Sequence, residues 1–226
     1  MSGAVHQIRF PNESAAYRAA RNELLQAEIG LRRQIEKVAA LRRELPPGGE
    51  LAANYVFDSD DGPVRLSELF GDKDTLIVYS YMYGPSMEAP CPACTSILDG
   101  IDATAQHVLP RVAIVAVARS PMERIRAFAD QRGWARLRLL SSADNSYNAD
   151  YHGEKPDGSQ MPVLNVFTRR DGTIRHFWST ELLFGKADPG QHDRHVDMIW
   201  PMWNLFDMTP EGRGEQTHPK LEYDRT

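Results

Sequence analysis

Cys91 and Cys94 are the only cysteines in this 226-residue chain, and both lie in one tetrapeptide, Cys-Pro-Ala-Cys. On a helix this spacing returns the second sulfur to the first across one turn, so the pair can form, accept and release a disulfide. At a helix start, unpaired N–H groups and the positive end of the dipole lower the pKa of the first thiol. Cys91 is then the attacking nucleophile, and Cys94 resolves the mixed disulfide by displacing the reduced product. Pro92 suits the first helical position, where no N–H is needed and its fixed φ favours helix entry. This exchange requires no metal and no organic cofactor. Two other readings stay open: inert thiols, or half of a zinc site. With no second cysteine pair, zinc would need two histidines, and His192 with His195 (H-x-x-H), His152 and His176 are the candidates.

The tetrapeptide needs a strand in front of it and a helix behind it. Thr75–Tyr81 (TLIVYSY) is a β-branched and aromatic run with the pattern of a buried central strand, and Thr95–His107 reads as helix. Arg111–Ala118 is a second buried strand and Ser120–Arg132 a helix, with Ser120 as N-cap, Pro121 in the first turn and Glu123 complementing the dipole. Leu137–Leu140 is a third strand. Val163–Phe167 and Thr173–Trp178 form a hairpin across Arg170-Asp171-Gly172, a strong turn signal. A further helix carries Val196, Ile199, Met202 and Leu205 and breaks near Pro201. Upstream, Tyr55–Phe57 reads as a strand, Asp61-Gly62 as a turn, and Val64–Phe70 as a short strand running into a helical turn at Ser67. Strand, helix, strand, helix, then hairpin defines an α/β fold with a central mixed sheet flanked by helices.

Ahead of this pattern, Asn12 to about Leu45 is rich in Ala, Leu, Glu and Arg and forms a long N-terminal helical arm, capped by Asn12 or Ser14 and stopped by Pro46-Pro47-Gly48-Gly49. Leu24, Leu31, Val38 and Leu45 repeat every seven residues, a stripe suited to packing on its own domain or on a neighbouring subunit, so a homodimer through this helix is one expectation. The Arg32-Arg33 and Arg42-Arg43 pairs are diluted by Glu28, Glu36 and Glu44 and mark a solvated face. The expected organisation is an arm over 1–50, a domain over 51–208 with a polar insertion near 145–160, and a polar tail over 209–226. The chain is long enough to bury a core without disulfide staples. A net charge of −5 without a basic run argues against nucleic-acid binding. Apolar runs such as Val112–Ala118 are too short to span a bilayer, and Met1–Pro11 lacks the apolar core of a secretory signal, so the expected compartment is the cytoplasm.

Met161-Pro162 leads the strand Val163–Phe167, and a proline at a strand entrance marks an edge, a bulge or a cis bond. Cys-Pro-x-Cys at a helix start, a βα crossover, then x-Pro-strand-turn-strand, from about Leu51 to Trp178, resembles the thioredoxin fold. That resemblance implies a cis Pro162 facing the dithiol, with the backbone at Met161 pairing with the bound substrate. Further markers narrow it: Tyr55-Val56-Phe57 with Asp61-Gly62-Pro63, Leu66-x-x-Leu69-Phe70, Tyr83-Gly84-Pro85 before Cys91, Val115-x-Val117-x-Arg119-Ser120-Pro121, Gly133-Trp134 and Asp207-Met208-Thr209-Pro210. Together they look like the bacterial thioredoxin-like family catalogued as domain of unknown function 899, over nearly the whole chain. The resemblance implies dithiol chemistry on a protein or small-molecule disulfide, with Cys91 attacking and Cys94 resolving, and it names no substrate.

The sequence also departs from ordinary thioredoxins. Pro90 stands where they carry tryptophan, a longer loop (Met82 to Pro90) precedes Cys91, and no buried acid can be placed, since Glu88 reads as a solvated loop carboxylate. Peroxiredoxins share the fold and carry an upstream proline and threonine; Pro85 is present, but Glu88 stands three positions before the cysteine, and a carboxylate there opposes thiolate formation. A thiol peroxidase is therefore the alternative enzyme. Arg119 is a candidate thiolate partner, although a surface ion pair is the simpler expectation. Copper binding by thiolates and imidazole is the alternative from the binding class. His192 and His195 lie among charges typical of a solvated helix face, and Trp178, Phe184, Trp200 and Trp203 read as core or interface.

Overall fold

Alternation along one central strand decides which side chains face the helix that follows it. In β3 (Thr75–Ser80), Ile77 and Tyr79 join one apolar cluster, whereas Leu76 and Val78 join another on the opposite face. The same alternation runs through β4 (Ala113–Ala118), where Ile114, Ala116 and Ala118 face the first cluster and Ala113, Val115 and Val117 the second. Strands buried on both faces read as continuous apolar runs, which is why both were legible in the sequence.

These strands belong to a computed structural model that describes residues 5–189, 196–214 and 218–223. The chain forms two compact units, Met1–Pro46 and Pro47–Thr226. The first holds α1 (Ala15–Arg43), a 29-residue helix whose start is set by Ser14, the Oγ of which accepts the Tyr17 N–H at 3.1 Å. Asn12, the other candidate cap, adopts a left-handed φ of 60° instead.

In the second unit a five-stranded sheet runs in the order β5-β4-β3-β6-β7, with β5 spanning Arg138–Ser141, β6 Leu164–Arg170 and β7 Thr173–Ser179. β3, β4 and β5 are parallel, joined by α2 (Pro92–Val108) and α3 (Met122–Arg132); β6 and β7 are antiparallel. The hairpin between them turns at Asp171 and Gly172, both with positive φ (49° and 78°), the conformation that an Asp-Gly turn supplies. A strand-helix-strand crossover followed by an antiparallel hairpin added next to the first strand is the thioredoxin-like arrangement.

The first face of the sheet is covered by α2, by α3 and by α5 (Pro201–Phe206), which follows a 3₁₀ turn at Asp197–Ile199; Pro201 starts the new helix, so the break falls where the proline requires it. Trp200 and Trp203 stack at 4.2 Å between centroids, and the Trp200 Nε1–H donates to Ser96 Oγ at 3.0 Å, which fastens this element to α2. The second face is covered by Tyr55, Phe57, Leu66 and Phe70 from the short ribbon of β1 (Val56–Phe57) and β2 (Val64–Arg65) and the turn after it, and by Tyr147 from α4 (Tyr147–Asp150). The 145–160 segment, read as a polar insertion, thus brings a fully buried tyrosine to the core and seats Gly153 against the Ser80 side chain.

Residues 48–51 border β7: the Leu51 N–H donates to the Ile174 carbonyl at 3.0 Å and the Gly49 carbonyl accepts the His176 N–H at 2.9 Å. A Cβ on Gly48 would lie 2.0 Å from the His176 carbonyl oxygen, so only glycine allows this approach. The cap expected at Ser120 is shifted by one residue. Pro121 is the N-cap of α3, with no side-chain cap, and Ser120 instead donates its hydroxyl to the Gly84 carbonyl at 3.3 Å. Proline locks the φ needed at the boundary, which leaves the serine free to tie α3 to the loop before Cys91.

Candidate functional site

β3 ends at Ser80, and the chain continues through Tyr81 into a loop from Met82 to Pro90 before it reaches Cys91. The loop closes on itself, because the Cys91 N–H donates to the Met82 carbonyl at 2.9 Å. Arg124 of α3 holds it from outside. Its guanidinium donates to the Met87 carbonyl at 2.6 Å and the Pro85 carbonyl at 3.3 Å and lies 4.7 Å from the centroid of the Tyr83 ring. Charge-assisted bonds to several carbonyls fix a backbone path that has no regular ladder of its own. Nothing local in the chain marks Arg124 for this role, since the contact joins segments nearly forty residues apart.

Cys91 is the N-cap of α2 and Pro92 its first residue. The Cys91 carbonyl accepts both the Thr95 N–H at 2.9 Å and the Thr95 hydroxyl at 3.0 Å, which fastens the first turn. Both cysteines are free thiols, Cys91 half-buried and Cys94 buried. The Cys91 pKa is lowered to about 6, first by the hydrogen bond from the Cys94 thiol and then, against the opposing effect of burial, by the backbone N–H groups of Cys94 and Ala93, with a smaller contribution from the charge of His218. A thiol at that value is predominantly thiolate at neutral pH. Burial drives Cys94 the other way, well above the ordinary thiol range. One cysteine thus holds the negative charge and its neighbour holds the proton. The Tyr79 hydroxyl donates to Cys94 Sγ at 3.4 Å from the β3 side.

His218 belongs to a tail segment that the sequence could not place. The neighbouring Leu221 carbonyl accepts a hydrogen bond from Arg132 Nη1 at 3.0 Å, and Arg132 is also paired with Asp99 of α2. Leu221 and Glu222 thereby help to line an open cavity of about 470 Å³ beside the cysteine loop, together with Tyr83, Pro90, Arg124 and Phe128.

Several candidate residues lie elsewhere or behave differently from expectation. Among the described residues no peptide bond is cis, so the cis geometry expected at Pro162 is absent. The local bonding accounts for the backbone there: the Met161 N–H donates to the Gly153 carbonyl at 2.9 Å and its carbonyl accepts the Val163 N–H at 3.2 Å, so both main-chain groups are already used. Met161 and Pro162 do reach the cysteine end of the sheet, because the Ser80 N–H pairs with the Val163 carbonyl at 2.7 Å, directly before the loop to Cys91. Arg119 is committed to the 142–154 region, with bonds to the Ser142 and Ala143 carbonyls at 2.7 Å each and a 3.0 Å ion pair with Glu154. Glu88 is exposed, in keeping with a solvated carboxylate.

His152 and His176 lie on the sheet's second face, away from the dithiol. His176 Nε2 meets Asn165 Oδ1 at 2.9 Å, and the His152 ring packs edge-on against Phe184. Both line a cavity of about 670 Å³ with Asn165, Asp150 and Glu181. His192 and His195 lie outside the described residues. Among the described residues, no group of three or more His, Cys, Asp or Glu side chains is arranged to hold a metal ion.

Fold and site together define a thioredoxin-like protein with a Cys-x-x-C pair at a helix start. The chain belongs to the family described as bacterial protein of unknown function (DUF899), which matches residues 7–226. No protein of curated function matches the sequence. Among solved structures it is similar to peroxidoxin BcpB from Mycobacterium tuberculosis, with 19% identity and a TM-score of 0.47 over 72% of this chain and 98% of that one. It is also similar to a cysteine-to-serine mutant of PrxQ from Xylella fastidiosa, with 13% identity and a TM-score of 0.49 over 72% of this chain and 97% of that one. A hypothetical protein from Sinorhizobium meliloti has 18% identity and a TM-score of 0.43 over 69% of this chain and 81% of that one. No helix among the described residues is long and apolar enough to cross a membrane.

Proposed function

We propose that this protein is a thiol–disulfide oxidoreductase that cycles Cys91 and Cys94 between dithiol and disulfide. The observation that carries the reading is the split in acidity within one turn, with Cys91 down at about 6 and Cys94 pushed up beside it. An attacking thiol near the ambient pH combines a large thiolate fraction with useful nucleophilicity, and a protonated partner is held in reserve. Cys91 attacks a substrate disulfide, a mixed disulfide forms and one substrate thiol leaves. Cys94 then attacks the Cys91 sulfur, closing the internal disulfide and releasing the second thiol. The reaction moves two electrons from the protein to the substrate and needs no metal or organic cofactor.

The substrate is a protein or small-molecule disulfide that approaches past Pro92, with Met161 and Pro162 forming the opposite lip through their side chains, since the Met161 backbone is already bonded. A reducing cytoplasmic setting suits a pair that must be regenerated. The peroxidase alternative is less well supported, because Arg119 is bound to carbonyls and to Glu154 in the 142–154 region. The test is reduction of insulin or of a small aromatic disulfide by wild type, Cys91→Ser and Cys94→Ser. Reduced wild type is expected to reduce one equivalent by itself and to turn over when dithiothreitol is supplied as electron donor, Cys91→Ser to be inert, and Cys94→Ser, without the donor, to stop at the mixed disulfide. No exchange by any of the three sinks the reading, and peroxide consumption that survives loss of Cys94 but not of Cys91 replaces it with the peroxidase.

A further inference from the structure

In a dithiol cycle Cys94 must become a thiolate inside the protein, and it is only 1% exposed. Burial is the largest influence against that charge. In the resting state Cys94 donates to the Cys91 thiolate, but once Cys91 is tied up in a mixed disulfide that acceptor is gone. Thioredoxin-like chemistry usually calls for a buried acid at this point, and no carboxylate is among the groups that act on Cys94 most strongly. Those groups are the Cys91 thiol, the Tyr79 hydroxyl and the Met82 backbone N–H.

Tyr79 is completely buried in β3 on the face that α2 covers, and its hydroxyl lies 3.4 Å from Cys94 Sγ. Burial, then the neighbouring Cys94, keeps its phenol well above the ordinary tyrosine range, so the group remains a donor. The Tyr81 hydroxyl, from the same stretch of chain, is also buried but has no hydrogen-bond partner among the described residues. Cys94 and Cys91 act on Tyr81 through their charge as well, so the two phenols differ in the hydrogen bond to Cys94 and not in nearness to the sulfurs.

We propose that Tyr79 is a catalytic residue of the second exchange step: its hydroxyl and the Met82 N–H form a two-donor cradle for the Cys94 thiolate as it attacks Cys91. This rests on the dithiol reading above. The Cys94 Sγ–Cys91 Sγ bond forms, the bond between Cys91 Sγ and the substrate sulfur breaks, and the electron pair leaves on the substrate thiolate. The Cys94 proton passes to the first departing substrate thiolate when that is basic enough to take it and otherwise to solvent, and Tyr79 keeps its own proton throughout. Preorganised donors aimed at a charge that exists only in the reacting state accelerate the step that creates it.

Stopped-flow reaction with 5,5′-dithiobis(2-nitrobenzoate) separates the two steps, because attack by Cys91 releases one coloured thiolate and attack by Cys94 releases the second. Wild type is expected to show two phases. Tyr79→Phe is expected to keep the first phase and slow the second at least about tenfold, with its pH midpoint moved upward, as the loss of a hydrogen bond to a charged group requires. Tyr81→Phe, which removes a hydroxyl without a hydrogen-bond partner among the described residues, is expected to change the second phase far less than Tyr79→Phe. Site-specific 3-fluorotyrosine at position 79 strengthens the donor in a nearly unchanged ring and is expected to speed the second phase; it decides the matter if the phenylalanine variant does not fold. A second phase indifferent to both changes at position 79 overturns the cradle while leaving the dithiol reading intact. A wild type that never releases the second thiolate overturns the dithiol reading itself.

Discussion

Cys91 is acidic because a thiol and two backbone N–H groups donate to it at a helix start, with burial working against them, and the acidity should therefore depend on its neighbours more than on salt. Its alkylation by iodoacetamide is expected to follow a titration with a midpoint near pH 6, the value to which the pKa is lowered. Cys94→Ala removes the largest of the stabilising donors and is expected to move that midpoint up by about one unit, the equivalent of one charge-assisted hydrogen bond. A midpoint unmoved in Cys94→Ala would show that the backbone alone sets the acidity. Residue types and spacing single out Cys91, Cys94 and Pro92 as candidates because their relation is local and contained in one turn. Tyr79 was legible only in part: alternation along the Thr75–Tyr81 strand separates it from Val78 and Ser80, but nothing local says that α2 returns Cys94 to that face. Pro162 was overread, because a strand-leading proline is compatible with either isomer and the bonds made by Met161 lie outside its own tetrapeptide.

At the scale of elements, the site depends on how firmly α2 is held against the sheet and its neighbours. Asp102 of α2 is buried, and its Oδ1 accepts the N–H groups of Arg136 and Leu137 at 2.8 Å each, ahead of β5. Asp102→Ala leaves the buried Leu137 N–H and the part-buried Arg136 N–H without their acceptor and is expected to cost about 1–3 kcal/mol, measured by urea denaturation, whereas Asp102→Asn, which keeps the accepting oxygen, should lose less. Equal stability of the alanine variant and wild type would mean that water or a local shift replaces the carboxylate. Boundaries set by proline and glycine were readable to within a few residues. The helix ended before Pro46, the hairpin turned at Asp171-Gly172 and the last helix began at Pro201, because these residues restrict φ or hydrogen bonding by themselves. The 145–160 segment reads as a polar connection because its composition hides Tyr147, whose burial follows from the uncovered second face of the sheet and not from its neighbours in sequence.

For the whole molecule, the Cys91 shift couples the ionisation of this thiol to stability. A thiol with its folded pKa lowered from 9.0 to about 6 is ionised in the folded state while still protonated in the unfolded state between those values. The unfolded chain therefore binds more protons, and the stability contributed by the thiolate rises with pH across that window, is complete above the unfolded value and is lost as pH falls through about 6. Measured against reduced Cys91→Ser, the reduced wild type is expected to gain at most ~1.4 kcal/mol per pH unit over the window and to show no gain below it. A pH-independent difference between the two proteins would contradict the thiolate.

The sequence by itself determined the order of strands and helices, the thioredoxin-like class and the position of the dithiol at a strand-to-helix junction. The element order and the position of the pair follow from periodicity, from backbone restrictions and from residues within one turn, and the class follows from the resemblance that these motifs carry. Tertiary structure alone decided what surrounds the sulfurs: Tyr79 behind Cys94, Arg124 across the loop, the tail that carries His218, and Arg119 turned to Glu154. Those relations join segments between about fifteen and more than one hundred residues apart, and they exist only because the sheet brings the ends of its strands together. Chemical identity is a local property of the chain, whereas the acidity and reactivity of a buried group belong to the environment that folding assembles around it.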